Sequence, residues 1–182
     1  QFIKNEFESY GYEAEIQEFE YYGYTAPDSV DLSIEGTSLN PEVVLYSPSG
    51  EVQAPIEFIG YGTEAELEGK DLSGKIALVE RGVIPFPDKV IHAAQQGAVG
   101  VIIFNNVDGA MNGSLGTVDE RYVPVVGISL EQGSELVSML ENGETVTASL
   151  EVLGASLDVR TSHNVIASKK PTNKKKDNGK VI

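Results

Sequence analysis

The segment of residues 74–106 constrains the fold of this chain more than any other part of it. Residues 75–80 have a continuous apolar centre that is too short for a helix and typical of a strand buried on both faces. A helix is predicted over residues 87–96, because a proline fits its first turn and a glycine follows its end. A second buried strand is predicted over residues 99–104. This strand–helix–strand order predicts parallel strands joined by a right-handed crossover.

Patterns on either side of this unit predict more strands than helices. Residues 1–12 carry apolar side chains at helical spacing up to Gly11, and residues 13–20 then alternate like a strand with one exposed face. Ser129 is a suitable N-cap for a helix that continues to about residue 140. The chain is therefore predicted to be a mixed α/β protein. Its other strands are expected at residues 30–35, 41–46, 56–60, 123–128, 145–152 and 157–167.

Composition excludes several classes of protein. The 182 residues include no cysteine, which rules out a disulfide framework and a thiolate metal site. No apolar run reaches 18 residues, so no membrane span is expected. Up to residue 168, seven basic residues stand against twenty-seven acidic ones, and such a body repels nucleic acid. The acidity serves solubility or attracts cationic peptides, and the sequence leaves both open.

The basic residues are concentrated near the end of the chain. Six of the thirteen lie in the last fourteen positions. The lysine-rich stretch of residues 169–176 is interrupted by Pro171-Thr172-Asn173 and is predicted to be a solvated hairpin loop. A patch that binds nucleic acid or a membrane is the alternative.

Several motifs occur in the order that is typical of one family. They are the turn Asp71-Leu72-Ser73-Gly74-Lys75, the pair Arg81-Gly82 after a strand, then Phe86, Lys89, Gly97-Ala98, Asn105-Asn106 and the segment Val123-Pro124-Val125-Val126-Gly127-Ile128-Ser129. With them, residues 40–150 resemble a protease-associated (PA) domain. The resemblance implies an α/β fold of twisted sheets or an open barrel with flanking helices. It also implies binding or gating rather than catalysis. Unlike many PA domains, this chain has no cysteine in the loop of residues 83–85.

The flanks resemble a different family. The helix and strand of residues 1–25 look like an early part of M28-family zinc aminopeptidases. Ser162-His163-Asn164-Val165-Ile166-Ala167 and the predicted strand of residues 179–182 look like later parts. The resemblance implies peptidase-derived segments at residues 1–25 and 156–182 around a PA domain at residues 26–155. It also implies a secreted or cell-surface bacterial host enzyme with two zinc ions.

A metal or catalytic site within the chain itself is not predicted. A two-zinc hydrolase needs about five nitrogen or oxygen ligands and a carboxylate base. This chain has two histidines, His92 and His163, and they lie in unrelated segments. The Gly-Ser-rich residues 112–116 do not form a nucleophile motif. No catalytic residue, metal ligand or cofactor is therefore assigned here, and the chain alone is not expected to be an enzyme.

Five residues are candidates for contact with a peptide or a partner: Arg81, Gly82, Phe86, Asn105 and Asn106. In PA domains that act as receptors the Arg-Gly loop touches cargo, so the resemblance implies such contacts at Arg81, Gly82 and Phe86. An ion pair within the domain is the alternative for Arg81. Asn105 and Asn106 follow a parallel strand, where α/β folds bind ligands, but they also suit a turn.

The predicted function is that of a non-catalytic PA domain in a secreted M28-like zinc aminopeptidase. It would gate substrate access or bind peptides and proteins, and its partners would be the host peptidase domain and peptide substrates. A cluster of tyrosines, Tyr21, Tyr22, Tyr24 and Tyr61, suits docking against that peptidase or simple strand packing. The alternatives are a cargo-binding module of a sorting receptor and a structural module of a subtilisin-like protease.

Overall fold

The structure is a computed structural model that describes residues 1–170. The lysine-rich stretch beyond Lys170 and the predicted strand of residues 179–182 lie outside the described residues. The chain forms two compact units. Unit 1 comprises Gln1–Gly23 with the described residues from Asp158 onward, and unit 2 comprises Tyr24–Leu157.

Strands outnumber helices, as the patterns predict. The helices are α1 Phe2–Ser9, α2 Glu64–Leu67, α3 Phe86–Gln95 and α4 Leu130–Glu141. The strands are β1 Glu13–Thr25, β2 Ser29–Ile34, β3 Thr37–Leu39, β4 Glu42–Val43, β5 Gly50–Phe58, β6 Ile76–Glu80, β7 Gly100–Phe104, β8 Val125–Ile128, β9 Thr147–Leu153 and β10 Ser156–Ser168.

Unit 2 is built on one mixed sheet of eight strands in the order β3-β2-β9-β5-β6-β7-β8-β4. Strands β5, β6, β7 and β8 are parallel to their neighbours in that group, and the outer pairings are antiparallel. Within the described residues the sheet stays open rather than closing into a barrel. The predicted mixed α/β class is confirmed.

Both faces of the sheet are covered, which explains the continuous apolar runs. In β7, Ile102 and Phe104 belong to one core cluster with Leu136 of α4, while Val101 and Ile103 belong to the other with residues of α3. Alternate side chains of a strand point to opposite faces, so a central strand with a helix on each side needs apolar residues throughout.

The start of α4 follows the sequence signal closely. The Ser129 hydroxyl accepts a hydrogen bond from the Gln132 backbone N–H (3.2 Å), and the Gln132 side chain accepts one from the Ser129 N–H (3.1 Å). This reciprocal capping box satisfies two backbone donors that the helix itself cannot bond. The predicted N-cap is confirmed.

The strand predicted over residues 41–46 is wrong beyond its first residues. Only Glu42–Val43 pairs in the sheet, with β8. Leu45 instead exchanges backbone hydrogen bonds with Gly113 and Leu115 of a long loop, each at 2.9 Å. The apolar residues after Val43 therefore lie beside a loop, and their pattern cannot distinguish a loop partner from a strand partner. The patterns also missed β3, α2 and the first half of β5.

Unit 1 consists of α1 and most of the two-stranded sheet of β1 and β10, whose residues 24–25 and 156–157 belong to unit 2. The exposed face predicted for residues 13–20 is there, but the opposite face is also largely exposed. No residue of α1 is buried. Large apolar side chains are exposed along the whole unit, including Phe2, Ile3, Tyr10, Tyr22 and Val159.

Candidate functional site

Arg81 lies at the carboxyl end of β6, where its backbone N–H donates to the Phe104 carbonyl of β7 (2.9 Å). Its guanidinium donates to the side-chain oxygen of Asn105 (3.0 Å). The partner of Arg81 is thus an amide on the neighbouring strand end rather than a carboxylate. The structure brings two of the predicted contact residues together because the carboxyl ends of parallel strands meet at one edge of the sheet.

The two adjacent asparagines have different environments. Asn105 is 0% exposed, and its side-chain oxygen also accepts from the Asn106 backbone N–H (3.0 Å). Its side-chain NH₂ donates to the Gly109 carbonyl (2.9 Å). These bonds hold the turn that follows β7, whereas the side chain of Asn106 is exposed. Asn106 is therefore the one of the two whose side-chain amide is accessible.

Gly82 and Phe86 lie near the two ends of the segment that joins β6 to α3. Phe86 is the first residue of α3, is half-buried and packs against the core cluster on that face of the sheet. A side chain at Gly113 would meet its ring at 3.2 Å, which shows how closely the long loop covers it. Gly82 has φ 118°, a conformation that glycine adopts without strain.

Sequence reasoning missed Val83, the most prominent residue of this loop. Its side chain is 74% exposed, and its φ is 63°. The Ile84 N–H donates to the Gly82 carbonyl (2.7 Å) across it, which makes a γ-turn with Val83 at the centre. A β-branched residue with positive φ is a genuine outlier, and such strain often marks functional sites. No local signal predicts it, because valine disfavours this conformation.

Sequence reasoning also assigned no role to Lys89, although it is one of the residues that carry the resemblance to PA domains. Its side chain is 0% exposed. The ammonium donates to the carbonyls of Tyr61 (2.6 Å) and Gly82 (2.7 Å) and lies 5.6 Å from the centre of the Tyr61 ring. Burial lowers the pKa of Lys89 to about 8, and the nearby carboxylates of Glu66 and Glu80 oppose that shift. A buried cation is thus tied to the loop that carries Val83.

The histidines make local contacts. The ring nitrogen Nδ1 of His92 lies 2.9 Å from the Gly62 carbonyl, and Nε2 of His163 lies 3.2 Å from the Glu18 carboxylate. Among residues 1–170 no three His, Asp or Glu side chains form a group that could hold a metal ion. The described residues therefore do not fit a zinc site. In the same range, no helix is long and apolar enough to cross a membrane.

The predicted tyrosine cluster is divided between different environments. Tyr24 stacks on Tyr46 with ring centres 4.5 Å apart, and both line a cavity of about 550 Å³ with Pro48, Val118 and other residues of unit 2. Burial raises the pKa of Tyr24. Tyr61 lies over Lys89 instead.

Comparison with known proteins identifies the kind of domain that this fold and loop define. The family model "PA domain" matches residues 42–136. The chain therefore belongs to the PA domain family.

The relatives of the chain extend the match to both flanks. It is 34% identical over 174 residues to the "probable leucine aminopeptidase 2" of Aspergillus fumigatus, which covers 93% of this chain and 34% of that protein. The solved aminopeptidase of Aneurinibacillus sp. strain AM-1 is 50% identical with a TM-score of 0.81 and covers 96% of this chain and 42% of that one. A zinc aminopeptidase from Bacillus subtilis is 28% identical with a TM-score of 0.58, over 94% of this chain and 40% of that one. The chain thus spans about a third of the curated relative, and its predicted similarity to a PA domain with aminopeptidase flanks is confirmed.

Proposed function

We propose that this chain is the non-catalytic PA domain of a secreted zinc aminopeptidase, together with two short segments of the host peptidase domain. The match to aminopeptidases over 96% of the chain carries the proposal, because it includes the flanks as well as the PA domain. Under this proposal residues 26–155 are the PA domain, and residues 1–25 and 156–182 belong to the host. The two zinc ions and the bond cleavage belong to parts of the host beyond this chain.

The surface of unit 1 supports its assignment to a larger fold. A two-stranded sheet is marginally stable by itself, and a sheet usually needs a third strand or a packed helix. In unit 1, Phe2 is 76% exposed and Tyr22 is 74% exposed. Exposed apolar surface of this extent is typical of an interface. The remainder of a peptidase domain would bury it.

The charge of unit 2 supports peptides as its partners. Residues 24–157 include five basic and twenty acidic side chains. All five basic side chains have partners within the unit: Lys70 and Lys75 contact Glu57, Arg81 contacts Asn105, Lys89 contacts backbone carbonyls and Arg121 contacts Asp119. Because the twenty acidic side chains exceed the five basic ones by fifteen in this unit, its surface field is negative and attracts peptides with positive charge. As a gate, the domain would admit short peptides and exclude folded proteins.

The proposal assigns the peptide contacts to the loop at the carboxyl edge of β6 and β7. Arg81, Gly82 and Phe86 shape this loop, and Asn106 offers an accessible amide beside it. Asn105 is buried and supports the loop through its hydrogen bonds to Arg81 and to Gly109 in the turn after β7. This edge is the usual ligand edge of a parallel sheet, which supports the assignment.

Two experiments test the proposal. The 182-residue chain is incubated with zinc and a panel of aminoacyl-4-nitroanilides, and its metal content is measured. Stoichiometric zinc with turnover that persists through repurification would refute a non-catalytic role. In a full-length protein that contains this chain, residues 26–155 are then replaced by a short linker. Gating predicts that hydrolysis of long peptides rises relative to that of the nitroanilides, and an unchanged ratio would leave the domain without a gating role.

A further inference from the structure

The loop between β6 and α3 holds an exposed apolar residue in a strained conformation. Val83 is at the centre of a γ-turn closed by the hydrogen bond from the Ile84 N–H to the Gly82 carbonyl (2.7 Å). The version of this turn with positive φ at its centre is rare, and valine adopts positive φ less readily than asparagine or glycine does. Some interaction outside the turn must therefore maintain it.

Lys89 supplies that interaction from beneath the loop. The Gly82 carbonyl, which closes the γ-turn, also accepts a hydrogen bond from the Lys89 ammonium (2.7 Å). The same ammonium bonds to the Tyr61 carbonyl (2.6 Å), so one buried cation ties the γ-turn to a second turn. Hydrogen bonds from a charged donor are shorter and stronger than neutral ones.

The second turn, at residues 61–63, is itself held by hydrogen bonds, so it can support the γ-turn through Lys89. The Tyr61 and Thr63 backbone N–H groups both donate to the Glu66 carboxylate, at 3.1 and 3.0 Å. One helical turn beyond Lys89, His92 contacts the Gly62 carbonyl (2.9 Å). Helix α3 therefore contacts this turn through Lys89 and His92, which lie on successive helical turns, and Lys89 also bonds to Gly82.

We propose that Lys89 is a positioning residue that holds Val83 at the tip of the loop, and that this tip contacts an apolar side chain of a bound peptide. The positioning role stands on the contacts above. The contact role rests on the proposed function. Next to the tip, a Cβ built on Gly82 would lie 3.5 Å from the side-chain nitrogen of Asn106, and this exposed amide suits a peptide backbone. An extended peptide with an apolar side chain next to a free backbone amide matches this surface.

Hydrogen exchange of the Ile84 amide in the whole 182-residue chain tests the positioning role. In Lys89→Met, which keeps the length of the stem and removes the donor, this amide should exchange faster on the order of tenfold relative to the Val101 amide of the core. The matched control is Lys75→Met. Lys75 directly precedes β6, the strand that leads into this loop, and its side chain contacts Glu57. Equal Ile84 exchange in Lys89→Met and wild type would overturn the positioning role.

A double substitution separates positioning from general destabilisation. Asparagine accepts positive φ, so Val83→Asn should relieve the strain that Lys89 opposes. The effect of Lys89→Met on Ile84 exchange should then be smaller in the Val83→Asn background than in wild type. An unchanged effect would show that Lys89 supports the fold and not the tip.

One measurement needs no substitution, in case Lys89→Met does not fold. The Lys89 ammonium of the wild-type chain should give a resolved ¹⁵N–¹H signal protected from exchange with water, as expected of a buried, hydrogen-bonded group. A signal that exchanges as fast as that of Lys75 would refute the anchor.

The contact role is tested by following amide shifts while adding the pentapeptide Ala-Ala-Leu-Ala-Ala, with Ala-Ala-Ser-Ala-Ala as its polar match. The leucine peptide should shift the Val83, Ile84 and Asn106 signals and bind Lys89→Met about tenfold more weakly, the loss expected when one good contact is removed. If wild type does not respond to the leucine peptide, or responds equally to the serine peptide, the contact role fails, while the linker replacement separately decides the gating role in the proposed function. The exchange experiment would still decide the role of Lys89.

Discussion

Replacing Asn105 with alanine should destabilise unit 2 far more than replacing its neighbour Asn106. Both residues follow β7, and both are candidate contacts on sequence grounds. The structure separates them, because Asn105 is buried with three side-chain hydrogen bonds and Asn106 is exposed. A structural role predicts a loss of stability at Asn105, and a contact role alone does not.

The magnitude follows from those three bonds. Two are between neutral groups, each with a net contribution of about 0.5–1.5 kcal/mol, and the one from Arg81 is charge-assisted and contributes about 1.5–3 kcal/mol. After truncation, water can reach Arg81, Asn106 and Gly109, since none of them is fully buried, and this recovers part of the loss. We therefore expect Asn105→Ala to cost about 2–4 kcal/mol and Asn106→Ala less than about 0.5 kcal/mol.

Urea denaturation followed by far-ultraviolet circular dichroism measures both values on the whole chain. A double-mutant cycle between Arg81→Met and Asn105→Ala then isolates their shared bond, with an expected coupling of about 1–2 kcal/mol. A cost below about 1 kcal/mol for Asn105→Ala, or equal costs for the two asparagines, would contradict the assignment. The three hydrogen bonds of Asn105 would then not support the loop as assigned.

Two further substitutions test the packing of α4 and the support of the Tyr61 turn. In Gly133→Ala the added Cβ would lie 2.2 Å from Cγ of Phe104, so overpacking should outweigh the better helix propensity and cost a net ~1–3 kcal/mol. Thermal denaturation against the exposed control Ser138→Ala checks this, and a melting temperature at or above wild type would contradict it. In Glu66→Gln, stability should fall at neutral pH, because hydrogen bonds from Thr63 and Tyr61 and the charge of Lys89 outweigh burial and lower the pKa of Glu66. A carboxyl group whose pKa is lowered by folding stabilises the folded state at pH values above its unfolded pKa of 4.5. The difference in stability between Glu66→Gln and wild type should therefore shrink as the pH falls below 4.5. A difference that stays constant down to about pH 3 would refute this explanation.

The central strands and helices could be predicted because local and tertiary demands agree there. The apolar run of β6 suits a strand buried on both faces, and its residues do alternate between the two core clusters, while α4 and α3 pack against the neighbouring strand β7. Ser129 forms the capping box that its sequence context indicates. Prediction was poorest where a segment pairs with an irregular partner. Leu45 bonds to a loop 68 and more residues away, and no local pattern contains that information.

The candidate site shows the same division. The Arg-Gly pair and the two asparagines could be located from the sequence, because they follow parallel strands and such strand ends share an edge. Which asparagine is buried depends on the path of the chain to Gly109, and that path is a property of the folded loop.

The sequence by itself determined the mixed α/β class, the order of the central strand–helix–strand unit, the PA resemblance and the absence of cysteine chemistry. Those features depend on residue type and spacing within a few turns or strands. Only the tertiary structure decided that Lys89 is buried beneath the loop and that Val83 is exposed at its tip with positive φ. Both oppose the local preference of the residue, since lysine favours water and valine favours negative φ. Such choices are maintained by contacts between segments distant in the chain, here the bonds from Lys89 to Tyr61 and Gly82.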